Sequence, residues 1–127
     1  MGKKILIVDD EVHIRALLKQ ALEDLEDVGV ELLSARDGEE GLQYARDEKP
    51  DLMFLDVMMP KKNGYEVCQT IKQDPGLKDI YIILLTAKGQ AADKVHGEAV
   101  EANEYITKPF NPDEILQKAR DILHVPR

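Results

Sequence analysis

Four short apolar runs each end in a polar residue. Asp9 and Asp10 follow Ile5-Leu6-Ile7-Val8, Asp56 follows Leu52-Met53-Phe54-Leu55, Thr86 follows the run Ile80 to Leu85, and Lys108 follows Tyr105-Ile106-Thr107. Runs of this kind suit strands buried on both faces of a parallel sheet. In such a sheet the carboxyl ends of the strands lie along one edge, where the sites are built. Three carboxylates, a hydroxyl and an ammonium are therefore expected together. Carboxylates about 4 Å apart repel by about 4 kcal/mol per pair at an effective dielectric of about 20, so positive charge must sit among them. Lys108 supplies one charge, and a hard divalent cation with all-oxygen ligands, Mg²⁺ or Mn²⁺, supplies the rest. A carboxylate facing such a cation is a candidate nucleophile toward phosphorus. The metal, Lys108 and the Thr86 hydroxyl match the three oxygens of an aspartyl phosphate in number and kind. Taken singly, each group is more readily a cap, a solvated acid or a strand terminator; their joint position at strand ends is what points to chemistry.

The elements that must hold these groups alternate along the chain. Val30 to Ser34 makes a further strand, so the strands number five. Ile14, Leu17, Leu18, Ala21, Leu22 and Leu25 are spaced three and four apart, which predicts an amphipathic helix ended by Gly29. Asp37 and Glu40 form a capping box for a second helix that runs to about Glu48 and is stopped by Pro50. A third helix is expected over Tyr65 to Gln73, broken by Pro75-Gly76, and a short, weakly amphipathic one over Asp93 to Val100. The last opens on Asn111, with Pro112 first and Asp113 and Glu114 in its first turn. Its stripe is Ile115, Leu116, Ala119, Ile122 and Leu123, and Pro126 is expected to stop it. Crossovers of this length require parallel strands and right-handed connections. The expected fold is α/β, a three-layer, doubly wound, five-stranded parallel sheet with five helices, one domain over residues 1–127.

Composition narrows the function classes. Of 127 residues, 43% are hydrophobic and 33% charged, which suits a packed globular domain. A net charge of -8 argues against direct binding to nucleic acid or an anionic membrane surface, because both need a basic face. The single cysteine, Cys68, excludes an internal disulfide and a cysteine-based zinc site. The amino-terminal apolar run ends in aspartates and is too short for a signal peptide, and no segment reaches the length of a membrane span, so the cytoplasm is expected. His13, His96 and His124 show no ligand spacing; Met53, Met58 and Met59 are read as packing, and Lys88 as a solvated loop lysine.

Four motifs in this order, ILIVDDE, LMFLDVMMPKKNGYE, IILLTAK and EYITKPF, are highly specific. From Lys3 to Leu123 the chain closely resembles the receiver domain of two-component response regulators. The resemblance implies a flavodoxin-like strand order, 2-1-3-4-5. It implies Asp56 as phosphoacceptor, with Asp9, Asp10, Asp56 and the Met58 backbone carbonyl around Mg²⁺. Lys108 resembles the phosphoryl-binding lysine, Thr86 and Tyr105 the switch pair, and Ala87 the small residue that keeps the site accessible. The Lys108–Pro109 bond is expected to be cis. The implied protein catalyses its own phosphorylation and dephosphorylation and is not otherwise an enzyme. Its implied donor is a sensor histidine kinase or a phosphotransfer protein. Its implied output is a downstream protein or effector domain at the Tyr105 face, between the fourth and last helices. In transcription-factor members of the family, positions like these pair across a symmetric, phosphorylation-dependent homodimer, Lys94 with Glu114 and Glu104 with Lys118.

Two departures from the family pattern stand out. Asn63 precedes Gly64 where the family often has Asp, and Glu101-Ala102-Asn103-Glu104 replaces glycine-alanine-aspartate-aspartate. Three other readings share the chemistry or the fold. A haloacid-dehalogenase-type phosphohydrolase would place its nucleophile on the first strand in an Asp-x-Asp pattern and add a cap domain. A degenerate receiver would serve only as a docking module. A flavodoxin-like binder needs a Ser/Thr/Gly phosphate loop where this chain has acids.

Overall fold

The structure, a computed structural model, describes residues 2–60, 62–87 and 102–125. The predicted helix over Asp93 to Val100, together with Lys88, Lys94, His96 and Pro126, lies outside the described residues. Strands β1 (Lys4–Val8), β2 (Glu31–Ala35), β3 (Leu52–Asp56), β4 (Tyr81–Ala87) and β5 (Glu104–Lys108) form one parallel sheet in the order β2-β1-β3-β4-β5. β3, buried at every position, lies between β1 and β4.

Alternation along the strands feeds two cores. Leu6, Val8, Met53, Leu55, Ile82 and Leu84 pack with α2 (Gly38–Glu48) and α3 (Gly64–Lys72) on one face. Ile5, Ile7, Leu52, Phe54, Ile83 and Leu85 pack with α1 (Val12–Leu22) and α4 (Pro112–Leu123) on the other. This is the period-two logic of a sheet covered on both sides, and it is why the strands are continuous apolar runs.

Several boundaries differ from those expected. α1 ends at Leu22 and passes into a 3₁₀ segment, Glu23–Val28, before Gly29 turns the chain with φ 89°. Leu25 is buried from that segment, while Leu17 is 44% exposed and not part of the core stripe. Leu18 and Leu22 carry the buried contact of α1, and Leu17 sits on the rim between α1 and α4, beside Pro112 and Leu116. Asp37 caps α2 by accepting from the Glu40 N–H at 2.8 Å, but Glu40 reaches back to the Arg36 N–H at 2.9 Å and not to Asp37. The reciprocal capping box forms at α3 instead, between Asn63 and Glu66. β4 continues through Thr86 to Ala87. α4 is capped by Asn111 and carries Pro112 in its first turn, as expected, but it ends at Leu123, where His124 turns left-handed at φ 56°.

The amino end of β5 is fastened to its neighbours. Asn103 donates its N–H to the Ile82 carbonyl at 3.0 Å, and its side-chain oxygen accepts the Ile82 N–H at 2.8 Å. Glu104 accepts from the Tyr81 hydroxyl on one oxygen and from Lys118 Nζ, at 2.6 Å, on the other. Burial first, then the Glu104 carboxylate, push the Tyr81 phenol up to about 12.

Candidate functional site

The buried polar side chains among the described residues are Asp9, Asp56 and Thr86. All stand at or just past the carboxyl ends of strands. Asp56 pairs in register with Leu85, Thr86 with Thr107 and Ala87 with Lys108, so β3, β4 and β5 deliver their polar groups to one edge. Lys108 Nζ lies 3.0 Å from Asp56 Oδ1 and 3.1 Å from Asp9 Oδ2. Asp9 Oδ1 accepts the Glu11 N–H at 2.9 Å, so both of its carboxylate oxygens are engaged by the protein. Asp10 is exposed at the mouth. The Lys108–Pro109 peptide is cis.

The electrostatics follow from that crowding. Burial first, then the charge of Asp9, push the Asp56 carboxyl up to about 6, with Asp10 adding to the rise and Lys108 opposing it. Burial alone would lower Lys108; its bonds and charge interactions with Asp56 and Asp9 outweigh it and raise its pKa. One lysine among three acids leaves the cluster short of positive charge.

The donor set suits a hard cation. Carboxylate oxygens of Asp9, Asp10 and Glu11 lie within 4.8 Å of one another, and Asp56 joins them through Lys108. Carboxylates with room for waters match Mg²⁺ or Mn²⁺ and not a soft metal. Asp9 already accepts one bond on each oxygen, so Asp10 and Asp56 offer the more open carboxylate oxygens. Met58 lies two residues past Asp56 with its side chain 63% exposed.

Gly64 explains how the loop after β3 closes behind Asp56. Its N–H donates to the Val57 carbonyl at 2.9 Å, and a Cβ there would fall 2.3 Å from the Asp56 carbonyl oxygen. Only glycine permits that approach.

Thr86 and Tyr105 share a face of the sheet. Tyr105 pairs with Leu84, two residues before Thr86, and Leu84 and Tyr105 both pack in the α2–α3 core. The period of two places Thr86 on the same side. Two residues near the acids had no assigned role. Glu11 was visible as the third acid of its run. Arg15, whose Nη1 donates to the Asp9 carbonyl at 2.7 Å, gave no signal in the sequence.

Residues 5–120 match the family model of the response regulator receiver domain. The chain belongs to that family. It is 46% identical over 123 residues to the alkaline phosphatase synthesis transcriptional regulatory protein PhoP of Bacillus subtilis, covering 97% of this chain and 49% of that protein. It is 43% identical over 123 residues to the phosphate regulon transcriptional regulatory protein PhoB of Pseudomonas aeruginosa, covering 97% and 52%. The receiver thus spans about half the length of these curated relatives. The solved chemotaxis response regulator CheY4 of Vibrio cholerae superposes with a TM-score of 0.83 at 32% identity, covering 96% of this chain and 99% of that one. The receiver's place in two-component signalling comes with this membership, and the parallel sheet in the order 2-1-3-4-5 agrees with it.

Proposed function

We propose that the receiver takes a phosphoryl group onto Asp56. The observation that carries the reading is the buried Asp56 carboxylate, held on Oδ1 by Lys108 and facing an exposed acidic mouth. The free oxygen attacks phosphorus, the donor's P–N bond breaks, and its electron pair leaves with the imidazole. Lys108 stays within reach of the transferred oxygens, and Thr86 stands on the adjacent strand. Mg²⁺, held by Asp10, Asp56 and the Met58 carbonyl with Asp9 behind them, would neutralise charge gathering on the phosphoryl oxygens. Hydrolysis by the same groups makes the protein self-dephosphorylating. Incubation with acetyl phosphate and Mg²⁺ adds one phosphoryl group, and Asp56→Asn abolishes it. Acid-stable, base-labile phosphate on that variant would overturn the assignment.

The donor is a sensor histidine kinase or a phosphotransfer protein. Val12, 69% exposed two residues past Asp10, and Met58, 63% exposed two residues past Asp56, offer apolar surface next in sequence to the acids, which suits a protein donor. The output is a shift of the Tyr105 face toward a downstream protein or effector domain. Thr86 moves to a phosphoryl oxygen and the Tyr105 ring follows into the space. A few charge-assisted hydrogen bonds support a bias of about 1–3 kcal/mol. Glu104 and Lys118 pair within the chain at 2.6 Å, and a phosphorylation-dependent homodimer on this face would exchange that pair for the same one across two copies. No described helix is long and apolar enough to cross a membrane, and the cytoplasm is the proposed site of action. A haloacid-dehalogenase-type hydrolase is disfavoured by the acceptor on β3 and adjacent aspartates after β1. A degenerate receiver is disfavoured by the intact Asp9, Asp56 and Lys108.

A further inference from the structure

The amino end of α1 is built unusually. Its N-cap, Glu11, makes no side-chain cap, and no acid stands in the first helical turn. The turn from β1 is held through Asp9 instead. The Asp9 N–H donates to the Ala35 carbonyl at 3.2 Å, Oδ1 accepts the Glu11 N–H at 2.9 Å, and Oδ2 accepts from Lys108 at 3.1 Å. The fourth tie is Arg15, which bends back over the first turn of α1 and places Nη1 2.7 Å from the Asp9 carbonyl oxygen.

That carbonyl belongs to the peptide unit joining Asp9 to Asp10, and a planar peptide moves as one body. With the Asp9 carbonyl held by Arg15 and the Glu11 N–H held by Asp9 Oδ1, the peptide planes on both sides of the Asp10 Cα are tied, and together they set the direction from which the Asp10 side chain departs. The Asp10 carboxylate is exposed and has no hydrogen-bond or ion-pair partner among the described residues. Its aim is therefore inherited from the backbone. We propose that Arg15 is a positioning residue for the metal site, holding the Asp9–Asp10 peptide so that the Asp10 carboxylate faces the cation. The proposal rests on the reading that Asp10 is a ligand.

Two other roles make opposite forecasts. Were Arg15 only a positive charge near a cation site, its removal would tighten Mg²⁺ binding. Were it only a staple for α1, its removal would lower stability and leave the Mg²⁺ dependence alone. Positioning predicts weaker binding with little loss of rate once the metal saturates.

The test uses Arg15→Met, Arg15→Lys and Asp10→Asn in the full chain. Two readouts are taken across a Mg²⁺ titration: the rise in Tm, which follows binding to the native state, and the rate of phosphorylation by acetyl phosphate. Arg15→Met is expected to raise both Mg²⁺ midpoints by roughly tenfold, the low end for loss of an outer partner of a metal ligand. Its rate at saturating Mg²⁺ stays near that of the parent. Arg15→Lys, which keeps one donor and the charge, recovers most of the midpoint. An unchanged or lowered midpoint in Arg15→Met overturns the proposal, as does a lysine variant no better than methionine. If Asp10→Asn itself leaves the Mg²⁺ response intact, the ligand reading falls and takes the proposal with it.

Discussion

Lys108 Nζ lies 3.0 Å from Asp56 Oδ1, although 52 residues separate the two in the chain. The ammonium arrives on β5, the carboxylate on β3, and β4 stands between them. Removing Lys108 leaves two buried acids facing each other. Lys108→Ala is expected to lose roughly 2 kcal/mol of stability at pH 8 without Mg²⁺, because an uncompensated buried charge is costly. Acidification or added Mg²⁺ should return most of it. Urea unfolding at pH 8 and pH 5, with and without the metal, measures both effects.

The Asp56 carboxyl lies at about 6 in the folded receiver against an ordinary value of 3.8. A raised carboxyl binds more protons folded than unfolded, so its contribution is fully present below the ordinary value and is lost as pH rises through the folded one. Metal-free receiver should therefore lose stability between pH 4 and pH 7, on the order of 2 kcal/mol from this group. Asp56→Asn should flatten that slope and be the more stable protein at pH 8. Unfolding free energies across the range decide it; a parent profile as flat as the variant's contradicts the electrostatic account.

Asp10 differs from Asp9 in being exposed and unpaired among the described residues. Asp10→Ala should abolish Mg²⁺-dependent phosphorylation while leaving Tm unchanged or raised, since it removes repulsion and no buried contact. Phosphate incorporation and thermal unfolding are read on the same sample.

A methyl group at position 64 has nowhere to go, with the Asp56 carbonyl oxygen 2.3 Å from the built Cβ. Gly64→Ala should cost about 1–3 kcal/mol, as overpacking does, and slow phosphorylation by shifting the Asp56 backbone. Denaturant midpoints and the phosphorylation rate would test both halves.

Thr86→Ala should separate chemistry from output. Phosphorylation of Asp56 persists, but the change at Tyr105 does not. NMR with beryllofluoride reads the Tyr105 ring directly; a parent-like shift in the variant would remove Thr86 from the switch.

The strands were legible because burial on both faces leaves little but apolar residues between Lys4 and Val8 or Leu52 and Leu55. The acids, Thr86 and Lys108 were legible because a strand's carboxyl end is marked by the first polar residue after such a run. Arg15 was hidden: its contact joins a side chain to a backbone oxygen six residues earlier, and no spacing rule encodes it. Leu17 looked like a core residue because period alone does not tell the middle of a stripe from its edge. The end of α1 was misplaced because Leu25 keeps the helical spacing while the backbone tightens into a 3₁₀ segment around it. Glu40 had the right position for a capping box, but the choice between two neighbouring amides is a matter of backbone direction, which residue type does not specify.

The ties at Asn103 and Glu104 have a bearing on tempo. They fasten the strand to Ile82, Tyr81 and Lys118 immediately before Tyr105. Sliding or peeling of β5 would break them together, whereas rotation about the tyrosine's own bonds breaks none. Side-chain torsions are among the quicker protein motions, and rearrangements of whole elements among the slower. Under the proposed switch, a receiver that answers by torsion would keep pace with its chemistry, so the duration of the signal would be set by how long the acyl phosphate survives and not by how fast the scaffold relaxes.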